Sequence, residues 1–145
     1  PLYDKSNEFE IKLLFINMMG EVKNYEWILR IGVFGTFFGH GIFALMIKQG
    51  WIPYFTSLGI SESTAVTLLP LIGMMDIVVA IFALFKPLKI VLIWATIWGV
   101  ITALIRPLTG EPIWDFIERS SNWAAPLALL AIQGFPKKAK DFFKI

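Results

Sequence analysis

AVTLLPLIGMMDIVVAIFALF, residues 65–85, is the stretch whose reading decides the fold. Its twenty-one residues carry a single charge, Asp76, near the middle. As a helix at 1.5 Å per residue it would reach about 31 Å, the thickness of a bilayer's hydrocarbon core. An acid at the centre of such a span is costly in lipid, so it should face protein or water. Gly73, Asp76, Ala80 and Ala83 recur on one helical face, which puts the acid on the packing stripe.

The rest of the chain agrees. Of 145 residues, 57% are hydrophobic and only 17% charged, too few charges to cover a soluble domain of this size. The net charge of +2 gives no nucleic-acid footprint, and the basic residues lie between apolar runs rather than in a groove. There is no cysteine, which excludes disulfides, thiol chemistry and cysteine-bound clusters. One histidine cannot build a multi-histidine metal site, so no metal is expected. No signal-peptide pattern follows Pro1.

Working outward, three more spans are predicted, at about 27–47, 90–105 and 120–135. With 65–85 they make an all-α, integral membrane four-helix bundle in one domain, 1–145. Residues 1–26 read either as an interfacial helix, with Phe9, Leu13 and Ile16 on one face, or as a loosely ordered tail. In the first span Gly32, Gly35 and Gly39 form a small-residue stripe where a second backbone could approach. Trp51, Pro53, Tyr54 and Phe55 read as an interfacial belt, and Ser61 as the N-cap of the second span. Pro70 should kink that span, and Pro107 should end the third. Ala95, Gly99, Thr102 and Arg106 make the third span's small and polar stripe; Ala124, Ala128 and Ala131 make the fourth's.

Four spans put the N-terminus, the 86–89 turn and the C-terminal tail on one side. Ten Lys and Arg lie there, against Lys48, Arg106 and Arg119 on the other. The positive-inside rule then makes both termini cytoplasmic.

His40 lies ten residues beyond Arg30, and Asp76 ten residues before Lys86. On antiparallel helices both reach one depth, about 15 Å from the cytoplasmic edge. Such a pair could move a proton, or bind the polar head of an apolar ligand such as a quinone, with Thr102 and Arg106 farther along the third span. It could equally be a polar clamp that holds the helices in register. Ligation of a haem or chlorophyll by His40 is the weaker option. Arg106, Glu111, Glu118 and Arg119 could form an outer ion-pair cluster.

From Arg30 to about Ile105 the sequence resembles the DoxX-like membrane proteins. The resemblance is carried by Arg30, Gly32, Gly39-His40-Gly41, Tyr54-Phe55, Leu58-Gly59-Ile60 and Leu71-Ile72-Gly73 followed by Asp76. Asp76 stands where the family more often has Glu, and the 106–116 loop is outside the general pattern. The resemblance implies a four-helix protein of the bacterial inner (cytoplasmic) membrane. It also implies a subunit or accessory of a quinone-linked redox complex, with membrane protein partners and no catalysis of its own. The alternatives from other classes are a binding protein for a lipophilic small molecule, through His40 and Asp76, and an assembly scaffold.

Overall fold

A computed structural model describes residues 5–145, with side chains from Asn7 onward apart from that of Glu21. Residues 1–4, the start of the expected N-terminal tail, lie outside the described residues. The described chain is all helical: α1 (Lys5–Leu45), α2 (Ile52–Thr56), α3 (Glu62–Phe85), α4 (Lys89–Leu108), α5 (Ile113–Ile117) and α6 (Ser120–Gln133). Single 3₁₀ segments lie at Gln49–Trp51 and Ala139–Phe143.

Three helices, α1, α3 and α4, are long and apolar enough to cross a membrane. The expected fourth span is α6. At 14 residues it measures about 21 Å, short of the roughly 30 Å core. The other expected boundaries shift in ways the local chemistry explains. Residues 5–26 neither break off nor lie apart; they continue into the first span as a 41-residue helix. No proline interrupts that stretch, and the one glycine, Gly20, costs a helix only about 1 kcal/mol. Helix α3 starts at Glu62, where the Ser61 hydroxyl accepts from the Thr64 N–H as the expected N-cap. It runs unbroken through Pro70. Pro107 sits inside the last turn of α4, which ends one residue later.

Helix α1 packs along α3 and, farther down, on α6; α4 packs on α6. By contrast α3 and α4 touch over a short length only, near the turn that joins them. The cores follow this arrangement. Near that turn, Val33 and Phe37 of α1 meet Val79, Ala80 and Ala83 of α3 and Ala95 of α4. Leu92 packs with Leu129 and Leu130 of α6. At the far end, Ala44, Ile52, Ala65 and Leu69 seat α2 over α1 and α3. Arg30 marks the near end: it pairs with Glu26 at 2.5 Å and donates to the Leu84 carbonyl at 3.4 Å. That carbonyl is one of those a helix C-terminus leaves unpaired, and the positive charge suits the helix dipole there.

The backbone approaches correct the expected glycine stripe. A Cβ on Gly41 would meet the Gly73 carbonyl oxygen at 2.9 Å, and one on Gly73 would meet the Gly41 oxygen at 2.7 Å. A Cβ on Gly32, Gly35 or Gly39 would have nothing within 4 Å. The packing face of α1 is Val33, Phe37, Gly41 and Ala44, one face round from the GxxxG. On α3 the expected Gly73, Asp76, Ala80, Ala83 stripe is buried throughout. On α6 the expected alanine stripe fails: Ala128 and Ala131 are exposed, while Pro126, Leu129 and Leu130 are buried.

The opposite faces stay uncovered. Leu71, Met74, Val78, Ile81 and Phe85 on α3, and Ile90, Trp94, Ile97, Ile101 and Leu104 on α4, are exposed at helical spacing. Water would not tolerate such continuous apolar stripes, whereas lipid is their natural solvent.

Candidate functional site

Above the short α3–α4 contact the two helices diverge, and a cavity of about 180 Å³ fills the gap under α2. Its walls are mainly apolar, among them Phe37, Leu69, Ile72 and Ile105. All four residues singled out in the sequence, His40, Asp76, Thr102 and Arg106, line it. They come from three helices, so only the packed bundle brings them together.

The Gly41–Gly73 crossing explains why His40 and Asp76 share a level. Gly41 sits against Gly73 and Ile77, so the residues just before Gly41 and Ile77 lie at nearly one height. The expected direct pair does not form. The ion pairs of the described residues are Arg30–Glu26, Arg106–Glu111, Arg119–Glu118 and Lys144–Asp141. His40 instead sets its ring edge-on to Trp51, with centroids 5.8 Å apart. The charges that act on it are Arg106, Arg119 and Lys48. Asp76 is 3% exposed, and its Oδ1 has no hydrogen-bond partner among the described residues. Trp98, whose indole has only an N–H to offer, lines the same cavity. A direct polar clamp between α1 and α3 is therefore not how these residues act; both open on the same space.

Thr102 is half-buried one turn above Trp98, and its hydroxyl donates back to the Trp98 carbonyl at 2.9 Å. With its proton so engaged, the oxygen turns lone pairs outward as an acceptor. Ile101 lines the cavity yet is 50% exposed, so the chamber opens sideways through the α3–α4 seam.

The far end is closed by a polar latch. The Tyr54 hydroxyl donates to Glu111 Oε1 at 2.5 Å, and Arg106 donates to Glu111 Oε2 at 3.0 Å. The Arg106 guanidinium also lies 5.3 Å from the centre of the Tyr54 ring. Burial, then the Glu111 carboxylate, pushes the Tyr54 phenol up to about 12. The same hydrogen bond, aided by Arg106, holds Glu111 below its usual range. The two shifts agree: the proton stays on the phenol and the charge on the carboxylate. Arg119 donates to the Asp115 carbonyl at 2.8 Å and pairs with Glu118. Arg106–Glu111 and Arg119–Glu118 are thus two separate pairs rather than one network.

Tyr54, Trp98, Arg119 and Asn122 line the cavity and had no place in the site read from sequence. Trp98 had a signal, since 98, 102 and 106 share a helical face. Tyr54 had none, because its partner lies 57 residues on. Comparison with known families, curated proteins and solved structures finds no match to this chain.

Proposed function

We propose that this chain is an integral membrane protein that holds a lipophilic small molecule, its polar end inside the cavity under α2. The observation that carries the reading is the cavity itself: apolar walls, a buried carboxyl with an unpartnered oxygen, and guanidinium groups at one end. Such a lining fits an amphipathic guest, which apolar walls hold and a few polar groups orient. The sideways opening at Ile101 suits a molecule that arrives through lipid. Quinones are one class of that description, and the resemblance to DoxX-like proteins points the same way. We take α6 as a fourth, short crossing, both termini as cytoplasmic, and the bacterial inner membrane as the location.

A place in a larger membrane assembly is the second reading, and one observation bears on it. The first half of α1 projects past the bundle with Phe9, Leu14, Phe15 and Met18 exposed. Apolar surface of that kind marks a contact with a partner or with lipid.

Protein purified in mild detergent and extracted into organic solvent should yield a lipophilic molecule near one per chain. Empty extracts, together with no saturable binding of short-chain benzoquinones or phenols, would overturn the proposal. Removing residues 1–20 should release a stoichiometric partner protein while leaving small-molecule binding intact.

A further inference from the structure

We infer that the ligand is a single-ring phenol-type molecule, seated with its hydroxyl toward Asp76 and a second oxygen toward Arg106 and Arg119. The inference rests on the ligand-holding reading above and gives that ligand a size, a polarity and a direction.

Size comes first. An apolar cavity of about 150 Å³ is known to hold one benzene ring. The volume of about 180 Å³ therefore takes one six-membered ring with small substituents. The opening beside Ile101 lets an alkyl tail leave toward lipid.

Polarity follows from the hydrogen bonds already made. Trp98, which also lines the cavity, has only an N–H to offer, so it can meet Asp76 only as a donor to one carboxyl oxygen. Asp76 Oδ1 remains without a partner among the described residues, on a side chain only 3% exposed, a costly state unless a ligand supplies one. Thr102, its proton given to the Trp98 carbonyl, is a second acceptor on the same wall. The inner part of the chamber thus asks for a donor.

The other end is the reverse. Arg106 engages one nitrogen with Glu111 and keeps further N–H groups; Arg119 engages one with Asp115 and Glu118 and does likewise. Both line the cavity, and guanidinium cannot accept. That end asks for an acceptor. A ring with a hydroxyl at one pole and an oxygen acceptor at the other satisfies both. A ring with carbonyls at both poles satisfies only the guanidinium end. A cationic amine would satisfy Asp76 but place its charge in a chamber that already faces Arg106 and Arg119.

Calorimetric titration of the full chain in mild detergent tests this, using para-hexyloxyphenol, its methyl ether and para-hexylbenzylamine. The phenol should bind about tenfold to a hundredfold more tightly than the ether, the range expected when a buried polar group is otherwise left without its hydrogen-bond partner. Asp76→Leu should bring phenol and ether within about threefold of each other. Thr102→Val, which keeps the side chain's shape, should lower the phenol's preference by about threefold to tenfold and serves if the first variant does not fold. Equal binding of phenol and ether to the wild type overturns the inference and leaves the ligand-holding reading standing. So does tighter binding of the amine, or a preference undiminished in the variants. Saturable binding of none of the three probes sinks the broader reading as well.

Discussion

Tyr54, Glu111 and Arg106 form the tightest polar contact between the α2 segment and the end of α4, and their chemistry has a pH signature. Glu111 lies below its ordinary value of 4.5 because Tyr54 and Arg106 favour its charged form. Its stabilisation is present above the unfolded value and is lost as pH falls through the lower folded one. Tyr54 is raised from 10.0 to about 12, so its contribution is complete below the unfolded value and disappears as pH rises toward the folded one. The latch should therefore contribute fully through neutral pH and progressively less toward both extremes. Relative to the wild type, Tyr54→Phe should lose less stability above about pH 10 and less at acid pH, read as the difference between the two melting curves. Superimposable pH curves for the two proteins would show that the latch does not contribute to stability. Of this only the Arg106–Glu111 pair was legible in the local sequence. Tyr54 stands among Trp51, Pro53 and Phe55, where an aromatic residue reads as a membrane-interface anchor. Arg106 and Glu111 are close in the chain, but the phenol that joins them arrives from another segment.

Helix by helix, the apolar runs were readable and their faces only partly so. On α3 the small residues coincide with the buried face, which they share with Leu69 and Val79. On α1 glycines occur on two faces, and composition alone selects the GxxxG. The structure uses Gly41, where the α3 backbone comes close, and leaves Gly35 exposed. Gly73→Leu should lower the melting temperature and folded yield, since a side chain there would meet backbone atoms of Gly41 and Leu45 and overpacking typically costs about 1–3 kcal/mol. Gly35→Leu should change neither, having open space before it. A reversal of that order in a thermal-melt assay in detergent would mean that another helix covers the GxxxG face. For α6 the alanines looked like a packing stripe, yet Leu129 and Leu130 take the interior, where they pack with Leu92 of α4 and Leu29 of α1.

For the whole molecule, the ring α3–α1–α6–α4 leaves one loose seam, between α3 and α4, and the cavity lies there. The proposed topology puts both termini in the cytoplasm, on the side carrying ten of the thirteen Lys and Arg residues. Reporters active only in the cytoplasm, fused in turn to each terminus, should both be active. A silent C-terminal fusion would mean that α6 does not cross. The sequence by itself determined the solvent: runs such as 65–85, nearly free of charge, can be satisfied only by lipid or by other helices, whatever the fold. It also determined that Asp76 would be buried, because an acid amid small residues has no good place facing lipid. Depth was legible too, since helical rise is constant and His40 and Asp76 can be counted from charged ends. Contact was not. Which residues touch depends on helix rotation and crossing, which the Gly41–Gly73 approach decides by letting two backbones meet. That crossing sets His40 against Trp51 instead of Asp76, and it opens the space into which both side chains face.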